Sequence, residues 1–370
     1  MEELRARIRD SGPITFRDFM ATELYHERYG YYVRDAAAVA AGRDYRTSPM
    51  VHPMFGALIA RELAALWQAC GEPSAFDVIE QGAGNGVLAR DILGDVHRRS
   101  PAFAAAIRYR IIEPHARLRG VQQETLAGSD GVERVEWLDD LPPAFDGVLL
   151  SNELLDAFPV HRVVRRGDAL LEVFVGLDGD GRFVDIVAPP STPRLQAYFD
   201  ALALRPGDGC YAEVNLDAVD WVARAGSALR CGFVLTFDYG DDAAALYAPW
   251  RRDGTLLCFF RQSASSDPYQ RIGLQDITSS VDFTTLGRVA AGHDLATAGY
   301  TDQASFLTRL GIHDAIAEAA RRADDMEEYF ARRNAVMELT DAAGLGRIRV
   351  LLFAKAIGAP RFAGFGDAPA

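Results

Sequence analysis

Short apolar runs with the spacing of strands alternate with stretches of helical spacing through the middle of the chain. This alternation predicts an α/β fold in which a mainly parallel sheet is covered by helices. The sheet strands are expected at 77–81, 108–113, 132–137, 145–150, 232–239 and 347–354. The covering helices are expected at 87–93, 115–127 and 216–230. This order is typical of a Rossmann-like, doubly wound sheet.

The segments before and after the early strands space their apolar residues differently from those strands. Residues 1–75 are mostly helical in spacing, with one helix opening at Ile14 and another at 53–63, and are predicted to form an N-terminal helical cap. Residues 160–215 contain apolar runs separated by Gly/Asp turns. Such runs predict an antiparallel β insertion.

The C-terminal third is less regular. Residues 240–280 are expected to be a long irregular loop, and helices are expected over much of 283–342. A helical insertion is therefore placed at 301–345. The sheet-forming core is then expected to consist of 76–159, 216–300 and 346–358.

A glycine-rich turn follows the first predicted sheet strand. Gly82, Gly84 and Gly86 can adopt backbone conformations that other residues avoid, and they let the chain approach a ligand closely. The helical spacing that begins at Val87 places this turn at a helix N-terminus, where free N–H groups point outward. The turn is therefore a candidate nucleotide or cofactor site at the carboxyl end of a strand.

The spacing of the turn bears on which cofactor it binds. The dinucleotide fingerprint is G-x-G-x-x-G, but here the third glycine comes one residue early. Glu113 ends the next strand and could hold two ribose hydroxyls with its two oxygens. Glu80 places negative charge where a dinucleotide would have its pyrophosphate. S-adenosylmethionine, which carries a sulfonium and an ammonium, therefore fits better than NAD, although NAD or a merely connecting turn are alternatives.

The fourth predicted strand runs into an acidic segment at 151–159. Glu153 and Asp156 are three positions apart, so both carboxylates could lie on one side of a helical turn. Paired acids of this kind suit a guanidinium, whose N–H groups carboxylates bind bidentately. The alternative is a helix N-terminus that is stabilised by acids in its first turn.

Other candidate residues each have a structural alternative. Asp140 and Leu141 follow the third predicted strand and could contact an adenine, or could form a solvated turn. The tyrosines near residue 30 could cover a cofactor or form a small core; they are Tyr25, Tyr29, Tyr31 and Tyr32.

Composition and charge exclude several classes of function. A net charge of −13 argues against nonspecific binding to nucleic acid. The four cysteines have no C-x-x-C spacing, so free thiols are expected and no metal site is predicted. There is no apolar run of membrane-spanning length and no signal-peptide pattern, so a cytoplasmic protein without membrane contact is expected.

Five ordered motifs carry a resemblance to a known family. They are GRDYRTSPMVHPMFG, EQGAGNGVLARDIL, IIEPHARL, SNELLDAFPVHR and DITSSVDFTTL. Together they resemble the MidA family of class I methyltransferases, which includes a mitochondrial complex I assembly factor, from Gly12 to Ala356. The resemblance implies a seven-stranded class I fold, S-adenosylmethionine as cofactor, and methylation of an arginine ω-nitrogen in a protein or peptide. SNELLDAF also resembles the acidic loop with which protein arginine methyltransferases hold a guanidinium.

These motifs carry the candidate site residues. The candidate catalytic residues are Glu153 and Asp156. The candidate cofactor-binding residues are Thr47, Ser48, Glu80, Gly82, Ala83, Gly84, Gly86, Glu113, Pro114, Asp140, Leu141, Ser151 and Asn152.

The chain departs from the family pattern in segments expected to cover the cofactor. Met50 stands where the family usually has Glu, and the changes at Gln262 and Ser280 fall in other covering loops. Two alternatives therefore stay open. The acceptor could be a small molecule or peptide of a biosynthetic pathway, or the protein could bind the cofactor and assist assembly with little catalysis. A homodimer is an alternative to a monomer.

Overall fold

A seven-stranded sheet runs through the middle of the protein in the computed structural model, which describes residues 2–34, 42, 44, 46–321, 326–358 and 362–366. The strands are β1 (Ile14–Thr15), β2 (Phe76–Gln81), β3 (Ile107–Ile112), β4 (Val135–Leu138), β5 (Phe145–Asn152), β6 (His161–Arg166), β7 (Ala169–Leu177), β8 (Phe183–Ala188), β9 (Tyr211–Val214), β10 (Leu229–Asp238), β11 (Gly240–Asp241), β12 (Leu257–Phe260), β13 (Ser263–Ser265), β14 (Asp276–Thr278), β15 (Val281–Asp282), β16 (Ala296–Asp302) and β17 (Arg349–Lys355).

The α-helices precede, connect and follow these strands. They are α1 (Glu2–Ser11), α2 (Phe16–Tyr25), α3 (Tyr31–Arg34), α4 (Ser48–Val51), α5 (Met54–Ala69), α6 (Val87–Arg99), α7 (Pro101–Ala106), α8 (Ala116–Leu126), α9 (Arg194–Leu202), α10 (Leu216–Ala228), α11 (Ala243–Leu246), α12 (Phe283–Ala291), α13 (Gln303–Arg309), α14 (Ile312–Arg321) and α15 (Met326–Leu339). Among the described residues, no helix is both long and apolar enough to cross a membrane.

The sheet has the order β16-β17-β10-β5-β2-β3-β4. Strands β10, β5, β2, β3 and β4 pair in parallel, whereas β17 is antiparallel to both of its neighbours. The predicted doubly wound α/β sheet of seven strands is confirmed. Because β2 lies between β3 and β5, the carboxyl ends of these three strands meet at one edge of the sheet, where ligands bind in such folds.

A second sheet is built mainly from the β insertion. β6, β7, β8 and β9 pair in antiparallel fashion, as expected for 160–215. Its remaining strand is β1, which comes from the N-terminal region and pairs with β7. Since Ile14 and Thr15 belong to β1, the helix that was expected to open at Ile14 begins at Phe16. Thr15 caps this helix by accepting the N–H of Asp18 at 3.1 Å. The division of the chain into four segments stays a prediction.

Local structure differs from the sequence predictions at three places, two of them in the main sheet and one in the segment 240–280. Residues 132–134 form a 3-10 turn after Gly131, so β4 begins only at Val135. The edge strand Ala296–Asp302 lies inside a region expected to be helical. Its small and polar residues have little of the β-branched, apolar character that marks a strand in sequence.

The segment 240–280 is also more ordered than the predicted irregular loop. It contains a three-stranded sheet in the order β13-β12-β14 and the short helix α11. The hairpin between β12 and β13 turns at Arg261 and Gln262, which have φ angles of 47° and 63°. Such a turn normally takes Asn-Gly or a similar pair, so no hairpin could be recognised from the residues at this turn.

Candidate functional site

The glycine turn after β2 has the backbone that the sequence predicted. Gly82, Gly84 and Gly86 have φ angles of 80°, 53° and 82°, all in the left-handed region. Gly86 is also the residue that precedes α6. A Cβ at Gly82 would lie 2.9 Å from Leu154 Cδ1, so the turn packs closely on the acidic segment. The left-handed backbone favours glycine at all three positions, and at Gly82 a side chain would also have to displace the end of Leu154.

A cavity of about 580 Å³ opens at the carboxyl ends of β2, β3 and β5. The predicted site residues that line it are Thr47, Glu80, Gly82, Ala83, Gly84, Glu113, Pro114, Asn152 and Glu153. The sequence-predicted residues from three separate strands are thus brought together. Within the described part of the chain, no group of His, Cys, Asp and Glu side chains is arranged to hold a metal ion.

Other predicted site residues lie outside the cavity lining. Ser151 is fully buried and donates to Thr236 Oγ1 at 2.8 Å inside the sheet. Asp140 and Leu141 lie in a turn where Asp140 pairs with Arg224. Gly86, Ser48 and Asp156 also lie behind the lining residues. A direct role for these side chains in the cavity stays a prediction.

Glu153 is held at the bottom of the cavity by contacts from two sides. Its backbone has a φ of 52° and its N–H donates to the carbonyl of Phe237 at 2.8 Å. Its Oε1 accepts the N–H of Ser48 at 3.1 Å and Nδ2 of Asn152 at 3.0 Å. Burial raises the pKa of Glu153 to about 7, and the hydrogen bonds from Ser48 and Asn152 oppose this rise. The carboxyl is therefore poised to ionise when a cation enters.

The acidic segment is not the helical turn that the i, i+3 spacing suggested. Residues 153–158 form bends and turns, and they are organised by Asp238, the last residue of β10. The Asp238 carboxylate accepts backbone N–H groups of Leu154, Leu155 and Asp156 at 3.1, 2.7 and 3.3 Å. These bonds hold the segment open, so the two acids do not share one face.

Asp156 consequently differs from Glu153 in its environment. It is buried, and burial followed by the charge of Asp238 raises the pKa of Asp156 well above its usual range. Burial also raises the pKa of Asp238, to about 7, but the backbone N–H groups that surround its carboxylate oppose this rise and favour the ionised form. In this pair we therefore place the proton on Asp156 and the charge on Asp238.

Two predicted acids stand on the cofactor side of the cavity. Glu113 accepts the N–H of His115 at 3.0 Å and Nε2 of Gln122 at 3.3 Å, and burial raises its pKa. Glu80 accepts the hydroxyl of Tyr109 at 2.7 Å, and burial raises the pKa of Glu80 to about 7. The negative charge expected at Glu80 is therefore only partly present at neutral pH.

Several cavity residues were not assigned from sequence. Tyr25 and Tyr32 line the cavity and stack with ring centroids 5.4 Å apart, so two of the candidate tyrosines have the covering position. The Tyr32 hydroxyl donates to Asp276 at 2.8 Å. Trp221 donates to Gln81 at 2.8 Å across the opposite wall. Trp221 has the spacing of an ordinary core residue on α10 and gave no signal. Asp276 opens the motif DITSSVDFTTL, but it was not assigned a role in the site.

The buried acids predict how stability depends on pH. Burial raises the pKa of Glu80, Glu153 and Asp276 to about 7, so the folded protein holds protons that the unfolded chain releases above about 4. This contribution to stability is present below the ordinary pKa and is lost as the pH rises through 7. The free energy of unfolding of the cofactor-free protein, measured in urea, should fall between pH 5.5 and 7.5.

Asp276→Asn should reduce that fall, because one of the raised groups is removed while an acceptor for Tyr32 is kept. Glu136→Gln, at an exposed position on β4, serves as the control and should keep the wild-type slope. Equal slopes in the wild type and Asp276→Asn would contradict the assignment of a bound proton to this cluster.

The comparisons with known proteins agree with this geometry. The family model described as "Putative S-adenosyl-L-methionine-dependent methyltransferase" matches residues 58–301. "Protein arginine methyltransferase NDUFAF7, mitochondrial" of Mus musculus is 29% identical over 339 residues, which cover 84% of this chain and 74% of the relative. The protein of the same name from Danio rerio is 28% identical over 339 residues, which cover 84% of this chain and 76% of the relative.

A solved structure is similar over nearly the whole chain. It is a COG1565 superfamily member from Burkholderia thailandensis bound to S-adenosyl-homocysteine, with a TM-score of 0.87 and 32% identity, covering 99% of this chain and 94% of that one. The strand order, the glycine turn and these similarities all indicate the same family. The chain belongs to this family of S-adenosylmethionine-dependent methyltransferases, with the class I fold, the cofactor and the enzyme class that its motifs predicted.

Proposed function

We propose that this enzyme methylates a guanidinium nitrogen of an arginine in a protein or peptide. The observation that carries the proposal is a pair of acceptor atoms without partners at the cavity. Glu153 Oε2 has no hydrogen-bond partner among the described residues, and Asn152 Oδ1 is buried without one. The bond from Asn152 Nδ2 to Glu153 fixes which end of the amide is free. A ligand that offers only N–H donors satisfies both atoms.

The charge of the site supports the same choice of acceptor. Asp238 and Asp276 add negative potential around Glu153 to the extent that they are ionised, since burial raises the pKa of each to about 7, and a cation therefore gains more here than a neutral amine or hydroxyl would. Binding of a guanidinium to Glu153 ionises the carboxyl and fixes the plane of the ligand. Fixing that plane presents one nitrogen to the cofactor, and such orientation is a major part of catalysis in a bimolecular transfer. S-adenosylmethionine supplies the electrophilic methyl group.

The residues around the glycine turn fit this cofactor. Gly82 and Gly84 leave the backbone open to the methionine part, with Ala83 between them, and partly ionised Glu80 lies behind it. Glu113 borders the cavity beside Pro114 and is assigned the ribose hydroxyls. Its two oxygens already accept one N–H each, which holds the carboxyl in place for a second set of donors.

Glu113→Ala should weaken the binding of S-adenosylhomocysteine by about 1.5–3 kcal/mol, the contribution of hydrogen bonds to a charged group. Isothermal titration calorimetry measures this difference directly. Glu124→Ala, at an exposed position of α8, is the control and should bind as the wild type does. An unchanged dissociation constant for Glu113→Ala would contradict the assignment of Glu113 to the ribose hydroxyls of the cofactor.

The names of the mouse and zebrafish relatives support arginine as the acceptor, since both are called protein arginine methyltransferases. One observation favours a different acceptor. Met50 lines the cavity at a position where the family resemblance leads us to expect Glu, so this wall lacks the charge that such an acid would offer a cation. A small molecule or a biosynthetic peptide is therefore the second candidate.

Transfer of labelled methyl groups to a lysate of a strain lacking this gene separates the candidates. Mass spectrometry should find the label on an arginine side chain of a protein. Label on a small molecule favours the second candidate, and label on another type of protein residue contradicts the guanidinium. If no product forms while S-adenosylhomocysteine still binds, the protein acts as a cofactor-binding assembly factor.

The place of action and the oligomeric state are separate proposals. A cytoplasmic location follows from the sequence patterns alone, whereas the names of the mouse and zebrafish relatives place those proteins in mitochondria. Fractionation of cells that express the tagged protein tests the location. The alternative of a homodimer is tested by sedimentation of the purified protein.

A further inference from the structure

Arginines surround the outside of the segment that covers the cavity. The inner side of α3 contributes Tyr32 to the cavity lining, and Arg34 is exposed at the end of the same helix. Arg28 precedes the helix, is exposed and lies over the ring of Tyr29 at 5.3 Å. The segment from Arg28 to Arg34 therefore has one side that faces the cavity through the Tyr32 side chain and an outer side that is basic.

Contacts extend this basic surface in both directions. On one side, Nη1 of exposed Arg117 donates to the carbonyl of Val33 at 3.4 Å, which joins α8 to α3. On the other side, the loop at Gly273 lies against Tyr29, since a Cβ on Gly273 would be 2.7 Å from the Tyr29 carbonyl oxygen. Arg271 stands two residues before that glycine. The surface therefore continues from α8 across α3 to the small sheet.

The small sheet completes the surface with a pair of like charges. The guanidinium groups of Arg261 and Arg271 lie 5.1 and 4.9 Å from the ring centre of Phe260. Each interacts favourably with the ring, but the two cations repel each other. We define the arginine band as Arg28, Arg34, Arg117, Arg261 and Arg271.

The arginine band is locally basic on an acidic protein. Within the described part of the chain, none of its five members forms an ion pair, although the chain as a whole has a net charge of −13. Among the described residues of these segments, the acids that are at least partly exposed are Glu27, Glu124 and Asp267. Five cations against three anions leave a positive excess beside the cavity.

We propose that the arginine band is a docking surface for an acidic segment of the acceptor protein. The proposal rests on the proposed function, because it requires a protein acceptor whose target side chain enters the cavity behind α3. Charge complementarity at such a rim increases the rate of encounter and selects among partners. A nucleic acid is disfavoured, because its uniform negative charge would also meet the acidic remainder of the surface.

The test replaces all five band arginines by Gln. A control variant replaces five exposed arginines elsewhere that form no ion pair with another described residue, Arg9, Arg61, Arg166, Arg252 and Arg333, so that both variants have the same net charge. The probes are two synthetic peptides with one Arg each, flanked either by Glu or by Gln. Binding is measured by fluorescence anisotropy with S-adenosylhomocysteine present, and unchanged binding of S-adenosylhomocysteine shows that each variant is folded.

The wild type and the control variant should bind the Glu-flanked peptide about tenfold more tightly than the Gln-flanked one at about 50 mM salt, as expected for several weak exposed charge pairs. The band variant should lose this preference. Equal preference in all three proteins would overturn the proposal, as would tighter binding of a single-stranded oligonucleotide of equal charge.

The same measurement on Glu153→Gln separates this proposal from the proposed function. The arginine band is intact in that variant, so the preference for the Glu-flanked peptide should persist. If Glu153→Gln lost this preference, the preference would arise from the cavity and not from the arginine band, which would contradict the proposal. Arginine methylation plays no part in this readout, so a failure of the proposed function leaves the result for the band interpretable.

Discussion

Replacing Glu153 by Gln should abolish methyl transfer to the acceptor while the protein still binds S-adenosylhomocysteine normally. The carboxylate is the charged group of the cavity that is proposed to hold the guanidinium, and Gln keeps the size but cannot ionise. Removing one partner of a buried charge pair costs about 2–5 kcal/mol, so turnover should fall by about a hundredfold or more. The measurement is steady-state transfer of labelled methyl groups together with calorimetry of S-adenosylhomocysteine.

A matched control for this substitution lies in α5. Glu62 is also buried, and burial raises its pKa to about 7, but it does not line the cavity. Glu62→Gln should therefore retain turnover. Full turnover of Glu153→Gln on the physiological acceptor would show that Glu153 does not hold the acceptor. Loss of S-adenosylhomocysteine binding in that variant would instead point to a role in shaping the cofactor site.

The second large effect is expected from Asp238→Ala. This carboxylate accepts the N–H groups of Leu154, Leu155, Asp156 and Tyr239, the last at 2.9 Å. The substitution leaves these donors unpaired in a buried loop, at about 1–3 kcal/mol for each donor that finds no water. We expect the free energy of unfolding to fall by about 3–6 kcal/mol in urea titration, with loss of turnover because Glu153 is no longer held.

Asp156→Asn is the contrasting variant. Asp156 is assigned the proton of the pair, so Asn resembles the form that is already present, and the unfolding free energy should change by less than about 1 kcal/mol. Turnover that survives Asp156→Asn would also argue against the catalytic role predicted from sequence. A destabilisation equal to that of Asp238→Ala would mean that the charge and the proton are placed the other way round.

The sequence was most informative where the signal is local. Glycines in left-handed conformations, an acid at the end of the next strand and strands followed by helices are properties of short segments, and the structure has each of them. Local signals were weak for the edge strand Ala296–Asp302 and for the hairpin at Arg261–Gln262. An edge strand needs little apolar surface, and this hairpin turns without the residues that usually mark such a turn.

Spacing misled the prediction for the acidic segment. Positions three apart suggest a shared helical face, but the segment bonds to a carboxylate more than 80 positions away in sequence. That contact decides that Glu153 borders the cavity while Asp156 is buried behind it.

The sequence by itself determined the fold class, the glycine turn and the family, because these depend on local backbone preferences and on ordered motifs. Only the tertiary structure decided the charge of the site and the surface around it. The pKa of a buried acid depends on which groups surround it, and Asp276 and Asp238 reach Glu153 only through the fold. In the same way, the arginines of the band are far apart in sequence and become one surface when α3, α8 and the small sheet meet.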